Sequence, residues 1–206
     1  MYRVDGRLVL SPSDLTRHQE CSHLTALNLQ VAERRLDPPA EGASDQTVLV
    51  ADLGIAHELR YLESLEEQGL SVARLADVRR EAATLEAMRA GVDVVYQAAL
   101  FDGTWGGQAD FLLRVEQPSD LGDWSYEVAD AKLARRIKVP ALLQMATYAD
   151  RLATLQGREP ERICVVTGDG ETRPWRLVDV AAYARRARAR LQTFIAHPTP
   201  TAPGPN

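Results

Sequence analysis

The stretch GGQADFLLRV-EQPSDLGDW-SYEVADAKLA (residues 106–134) organises the rest of the chain. Two apolar, β-prone runs flank a loop that contains a proline and a glycine, the pattern of a strand–loop–strand hairpin. Residues two apart on a strand point to the same face, so Asp130 and Lys132 are expected to project together. Asp110, in the first strand, can lie opposite them. Two carboxylates and an ammonium beside apolar strands are costly to bury without a metal ion or an anionic ligand between them.

Lysine is rare in this chain. Only two of its 24 basic residues are lysines, Lys132 and Lys138, and the others are arginines. A lysine ammonium is a compact point charge and differs physically from the planar fork of arginine. Its use beside two aspartates is therefore consistent with a specific chemical role. A solvated strand edge with a surface ion pair explains the same pattern, and this stretch by itself leaves both interpretations open.

Length and composition indicate an ordinary globular protein. The chain has 206 residues, of which 45% are hydrophobic and 26% charged, typical of a single soluble domain. We expect a domain over residues 1–197 and a disordered, proline-rich tail or linker over 198–206. No apolar run has the length of a membrane span, and the N-terminus lacks a signal-peptide core, so no membrane association is expected. Two distant cysteines do not suggest a disulfide framework, and a reducing cytoplasm is the simplest setting.

The net charge of −5 hides two basic clusters. The first follows the Asp-Ala-Lys triplet, and the second lies in the last predicted helix; their members are Lys132, Arg135, Arg136 and Lys138, then Arg185, Arg186, Arg188 and Arg190. Local basic patches on an acidic protein can follow a phosphate backbone. A solvated helix face is the alternative, and it is favoured slightly for the second cluster.

Periodicity and turn signals predict a mixed α/β domain, with a central sheet flanked by helices. The predicted helices cover about residues 12–33, 47–68, 77–89, 141–156 and 179–197, and the predicted strands cover 92–101, 104–115, 125–134, 161–168 and 172–178. No GxxxxGK[ST] and no strand-borne GxGxxG is present, which argues against nucleotide binding. The absence of a GxSxG elbow argues against acyl transfer.

Four further residues draw attention on the predicted helices. Gln144 and Tyr148 are four apart, so they share one face of their helix. His57 is a single histidine on an otherwise acidic and apolar helix, where a hydrogen-bonded structural role is the local interpretation. Cys21 lies in the first helix without a CxxC or HxxxH pattern near it, so locally it reads as a small core residue.

Four motifs in order resemble a known family. Gly54–His57, GGQADF, YEVADAKLAR and QMATY are similar to the motifs of the RecB-like branch of the PD-(D/E)xK nuclease superfamily. The closest likeness is to RecB-family nucleases related to the CRISPR-adaptation nuclease that carries an iron–sulfur cluster. The resemblance covers residues 8–196, and it implies a restriction-endonuclease-like core and metal-dependent hydrolysis of DNA.

The resemblance also assigns roles to individual residues. His57, Asp110 and Asp130 resemble the family's metal ligands, together with the backbone carbonyl of Ala131. Lys132 resembles the catalytic lysine. The remaining matches face the site and the nucleic acid, and with the neighbouring basic residues they are expected to support DNA binding: Gln144, Tyr148, Arg135 and Arg136.

Cys21 resembles the first of the family's four cluster cysteines. The other three lie near the end of the nuclease domain in the family and have no counterpart here, so the resemblance implies that Cys21 is a vestigial ligand, and no iron–sulfur cluster is expected in this chain. The chain is expected to be the N-terminal nuclease part of a longer protein with further C-terminal domains, or a variant without the cluster.

The chemistry of these residues suits phosphodiester hydrolysis. Mg²⁺ or Mn²⁺ on two aspartates activates water and neutralises charge, and a lysine stabilises the developing oxyanion. An imidazole ligand favours Mn²⁺. Glu127 and Asp102 are runner-up carboxylates, although Glu127 should point to the opposite face from Asp130.

We therefore expect a metal-dependent deoxyribonuclease, exonuclease-like and acting near DNA ends or on single strands. One alternative is a non-catalytic DNA-binding or scaffold module that retains the nuclease fold. Another is a soluble α/β domain with incidental motifs.

Overall fold

The computed structural model describes residues 1–39, 44–75 and 80–198. Its strands are β1 (Tyr2–Val4), β2 (Arg7–Val9), β3 (Val72–Arg74), β4 (Val94–Phe101), β5 (Gly106–Val115), β6 (Ser125–Ala131), β7 (Arg162–Val166) and β8 (Thr172–Arg176). Its helices are α1 (Pro12–Glu20), α2 (Ser22–Ala32), α3 (Asp45–Glu67), α4 (Glu81–Arg89), α5 (Val139–Gln156) and α6 (Val178–Ala196).

Six strands form one mixed sheet in the order β3-β4-β5-β6-β7-β8. The pairs β3–β4 and β6–β7 are parallel, and the other three pairs are antiparallel. Parallel neighbours need a crossover connection, which α4 and α5 supply. The expected α/β class with a central mixed sheet flanked by helices is confirmed.

Helices cover both faces of this sheet. On one face, α3 contributes Leu62 and Leu65 to an apolar cluster with Phe111 of β5 and Ala129 of β6. On the other face, α5 and α6 join a larger cluster with β4, β5, β6 and β7. Because β6 is covered on both sides, six of its seven residues are buried. Any polar side chain at its end therefore lies at the margin of the core.

The start of β6 is fixed by a glutamine of α5. The fully buried side chain of Gln156 accepts a hydrogen bond from the backbone N–H of Tyr126 at 2.8 Å and donates one to its carbonyl at 3.2 Å. A buried backbone group without a partner is costly, so this amide replaces a missing strand neighbour. It anchors the helix and the strand to each other at the end opposite Lys132.

The predicted hairpin is confirmed, and its register brings the expected residues together. β5 and β6 pair antiparallel with Phe111 opposite Ala129, and one step further along the same register places Asp110 opposite Asp130. The predicted third strand is too long, because β6 ends at Ala131. Lys132 follows it, although its backbone N–H still donates to the carbonyl of Val166 at 2.8 Å.

The first predicted helix is wrong as a single element. The chain breaks at Cys21, whose φ of −155° and ψ of 108° are extended, and it resumes as α2. The β1–β2 hairpin and the three-residue strand β3 were not predicted at all. Residues 77–79 of the predicted helix 77–89 lie outside the described residues, as do residues 199–206 of the predicted tail.

Candidate active site

Two carboxylates meet where β5 and β6 run side by side. Asp110 Oδ2 accepts a hydrogen bond from the backbone N–H of Ala131 at 3.3 Å, and its carboxyl group lies within hydrogen-bonding reach of Asp130. Asp130 is only 5% exposed. The antiparallel register is the cause, because it places these two positions on neighbouring strands with their side chains on one face.

Lys132 completes the cluster. Its Nζ lies 2.8 Å from both carboxylate oxygens of Asp130. Burial alone lowers the pKa of Lys132, but Asp130 and then Asp110 outweigh that effect and raise it, so the ammonium stays charged. The buried Oδ2 of Asp130 accepts no well-directed hydrogen bond. One ammonium therefore leaves acceptor capacity in the cluster unused.

The two carboxylates carry more negative charge than this environment supports. Burial, followed by the hydrogen bond and the charge of Asp130, raises the pKa of Asp110 to about 9. Two buried carboxyl groups in contact do not both ionise unless positive charge is added between them. A hard divalent cation binds oxygen donors of this kind, and Mg²⁺ often uses only one or two carboxylates and keeps several waters. The donor set formed by Asp110 and Asp130 therefore fits Mg²⁺ or Mn²⁺.

His57 does not join these carboxylates. Its Nε2 donates to the carbonyl oxygen of Val166 at 3.3 Å, the same oxygen that receives the backbone N–H of Lys132. Among the described residues, no three His, Cys, Asp or Glu side chains are arranged as a metal cage. His57 is thus buried, and its link to the cluster is the carbonyl of Val166 that it shares with the backbone of Lys132.

Glu58 is the carboxylate that sequence reasoning missed. It accepts a hydrogen bond from Nε2 of Gln97 on β4, and it is close enough to influence the pKa of Asp110, Lys132 and Tyr96. Gln97 itself has a φ of +57°, a left-handed conformation inside a strand, at the register position opposite Asp110. The available signal was the sequence GIAHE, in which Glu58 directly follows His57.

Gln144 and Tyr148 lie together on α5, as their spacing predicts, and Tyr148 is close enough to Asp110 and Asp130 for their charges to affect its pKa. The Tyr148 hydroxyl forms hydrogen bonds with the Gln144 side chain and with the backbone of Gln108. Burial, and then the charges of Asp110 and Asp130, raise the pKa of this hydroxyl. The hydroxyl fits because β5 has Gly107 here: a Cβ at that position would stand 2.7 Å from the tyrosine oxygen.

A cavity of about 270 Å³ opens beside Lys132. It lies between α1 and the segment that joins β6 to α5. Its lining combines polar and basic side chains with apolar ones: Thr16, Lys132, Arg136, Lys138 and Gln144, then Leu133, Ala134, Ile137, Pro140 and Ala141. Arg135, Arg136 and Lys138 are exposed. In the described part of the chain, no carboxylate forms an ion pair with any of these three. Within the predicted basic cluster after β6, Lys132 is paired with Asp130, and the other three members form a positive surface without an acidic partner among the described residues.

A glycine holds this basic segment in place. Gly168 follows β7, and a Cβ there would stand 2.1 Å from the carbonyl oxygen of Leu133. The two backbones also form a hydrogen bond between the Gly168 N–H and the Ala134 carbonyl at 3.4 Å. This close approach requires glycine, and it fixes the path of the chain directly after Lys132.

The remaining candidates lie elsewhere. Glu127 accepts a hydrogen bond from the backbone N–H of Arg162 at 3.0 Å, at the beginning of β7. Asp102 caps the β4–β5 turn and pairs with Arg188 at 3.4 Å. Cys21 lies at the α1–α2 junction. Neither runner-up carboxylate is part of the cluster.

The chain matches no protein-family model and no curated protein. No helix within residues 1–39, 44–75 and 80–198 combines the length and the apolarity needed to cross a membrane.

Proposed function

We propose that this chain is a metal-dependent deoxyribonuclease with a restriction-endonuclease-like core, a RecB-like member of the PD-(D/E)xK superfamily. The observation that carries the proposal is the convergence of Asp110, Asp130 and Lys132 where the middle of β5 runs beside the end of β6, next to a cavity whose rim carries basic side chains without an ion-pair partner among the described residues. Two carboxylates, one lysine and a surface for phosphates are the parts that hydrolysis of a phosphodiester needs. Action near DNA ends or on single strands is part of the proposal, and it follows from the motif resemblance.

Each residue has a distinct task in this proposal. Asp110 and Asp130 would hold Mg²⁺ or Mn²⁺, with the carbonyl of Ala131 at the end of β6 as a further donor. The chemistry that such an ion supplies is neutralisation of the phosphoryl oxygens and activation of a water molecule. Lys132 places a charged ammonium against the same carboxylate and is positioned to stabilise negative charge on the reacting phosphate.

The basic side chains at the cavity beside Lys132 would bind the phosphates of the substrate. Arg136 and Lys138 can bind backbone phosphates on either side of the bond that is cleaved, because their charges have no acidic partner in the described residues. Gln144 lines the cavity and contacts Tyr148, which is near the carboxylates. His57 orients Val166, and through it the backbone of Lys132.

Cleavage of end-labelled DNA tests the proposal. Single-stranded and duplex oligonucleotides, labelled at either end, are incubated with the protein and Mn²⁺, Mg²⁺ or EDTA. We expect cleavage with the metals and none with EDTA. DNA binding without cleavage under every metal condition would favour the scaffold alternative and contradict the proposal.

Glu58→Gln is expected to reduce cleavage about ten- to a hundredfold, in the range seen for residues that support metal ligands. Its carboxylate sets the field at Asp110 and Lys132 and holds Gln97 in its left-handed conformation. The measurements are the cleavage rate and the Mn²⁺ affinity by calorimetry. Glu63→Gln, on the exposed side of the same helix, is the matched control. Equal activity in the two variants would show that Glu58 is structural.

A further inference from the structure

The arginines of α6 divide into two sets. Arg185 pairs with Asp150 at 3.7 Å and Glu159 at 3.6 Å, and Arg188 pairs with Asp150 and Asp102. These two compensate acidic residues of other elements. Arg186 and Arg190 form no ion pair with any described carboxylate, and both are exposed. In the second basic cluster of the sequence, Arg185 and Arg188 therefore serve in ion pairs within the fold, while Arg186 and Arg190 are available to bind a ligand.

The available half lines a groove of about 490 Å³ between α6 and the α1–α2 junction. Its lining shares no residue with the catalytic cluster or with the cavity beside Lys132. None of its residues carries a carboxylate, and most can donate a hydrogen bond: His18, Ser22, Arg186, Arg190, Thr193 and His197. Such a lining has the polarity of a binding site for anions.

The shape of the groove favours an extended polyanion over a small anion. Positions 186, 190, 193 and 197 follow the helical spacing of one face. From first to last they cover roughly 16 Å along the helix axis, at 1.5 Å per residue. A single phosphate would occupy only part of this line. A nucleic-acid strand, with one phosphate per nucleotide, would contact the whole line of donors.

An aromatic side chain lies among the donors. The half-buried ring of Phe194 packs on His18 with the ring centroids 5.1 Å apart. Burial, followed by the charge of Arg190, lowers the pKa of His18, which places that guanidinium close to the imidazole. Basic side chains interleaved with aromatic surface are the usual lining of sites for single-stranded nucleic acid, where unpaired bases stack.

We propose that the groove between α6 and the α1–α2 junction binds the backbone of single-stranded DNA as a second contact, separate from the catalytic cluster. The inference rests on the proposed function in taking DNA as the ligand. It assigns a role to residues that the catalytic chemistry does not use. In this arrangement Arg186 and Arg190 bind consecutive phosphates, and Phe194 offers a stacking surface to a base.

The test is binding of a short fluorescein-labelled oligothymidylate, measured by fluorescence anisotropy in EDTA so that no cleavage occurs. The Arg186→Ala/Arg190→Ala variant should bind about tenfold more weakly, and its salt slope should fall by about 1.4, since each lost phosphate contact contributes ~0.7 for single strands. Arg185→Ala is the matched control and should stay within about twofold of wild type, as expected for an exposed ion pair.

Unchanged affinity and salt slope in the double variant would overturn the inference. A second variant tests the single-strand preference: Phe194→Leu keeps apolar bulk but removes the ring, and should weaken single-strand binding more than duplex binding. Equal weakening of both contradicts the stacking role. If wild-type protein binds DNA through Arg186 and Arg190 yet never cleaves it, the inference stands while the proposed nuclease function fails.

Discussion

Asp110→Asn should abolish metal-dependent cleavage, with a loss of about a thousandfold or more, because several kcal/mol of charge stabilisation disappear with the metal. The side chain keeps its size, and its amide oxygen can still accept the hydrogen bond from Ala131. The fold is therefore expected to survive. The melting temperature of the metal-free protein near neutral pH should stay close to that of wild type, since a carboxyl group with a pKa of about 9 is already uncharged there and the amide is uncharged too.

Calorimetry with Mn²⁺ is the decisive measurement for this variant, and Asp123→Asn, in the exposed β5–β6 loop, is its matched control. The control should bind Mn²⁺ and cleave DNA normally. Asp130→Asn should reproduce the loss of Asp110→Asn. Normal Mn²⁺ affinity in either cluster variant would show that the carboxylates do not hold the metal.

Lys132→Ala should lower the cleavage rate about a hundred- to a thousandfold, the usual cost of removing one group that stabilises transition-state charge. Metal affinity should be largely retained, because the ammonium is a neighbour of the ligands and not one of them. Lys132→Arg should also be slow, since a planar guanidinium cannot reproduce a compact ammonium that lies 2.8 Å from both oxygens of Asp130.

Single-turnover kinetics with saturating enzyme separate this effect from DNA binding. Lys138→Ala changes the other lysine of the chain, which is exposed at the start of α5, and serves as the control. Lys138→Ala should bind DNA more weakly than wild type, and its loss of cleavage rate should therefore become smaller at high enzyme concentration. A normal single-turnover rate in Lys132→Arg would reduce Lys132 to a part of the basic surface.

Local patterns were enough to predict the hairpin and the core of the site. Period-two alternation gives the shared face of Asp130 and Lys132, and antiparallel pairing gives the partner position of Asp110. Helical spacing gives Gln144 and Tyr148 on one face of α5. These inferences succeed because each depends on contacts between residues that are near in sequence or paired within one hairpin.

The positions of His57 and Glu58 depended on information that the local sequence does not contain. Adjacent helical residues point about 100° apart, a consequence of 3.6 residues per turn. The way in which α3 crosses the sheet decides which of these two side chains points toward Asp110. That crossing is set by the tertiary packing of Leu62 and Leu65. Motif resemblance selected His57, while the structure places Glu58 in electrostatic contact with Asp110 and Lys132.

The structural elements that were not predicted from the sequence were missed for different reasons. The break at Cys21 has no proline or glycine to announce it, so the helical pattern continues through it. The β1–β2 hairpin did carry a signal: Asp5-Gly6 is a favourable two-residue turn, and both residues have positive φ. β3 has three residues, too few for any alternation to be recognised.

The outermost strand of the sheet also bears on how this protein behaves in concentrated solution. Among the residues that the structure describes, β8 pairs with β7 and with no other strand, and four of its five residues are exposed. An open strand edge invites pairing with another molecule, but proline lacks the N–H that such pairing requires, and charged side chains repel a second copy. Pro174 lies in the middle of β8 between Arg173 and Arg176. The strand that closes the sheet is thereby protected against edge-to-edge aggregation.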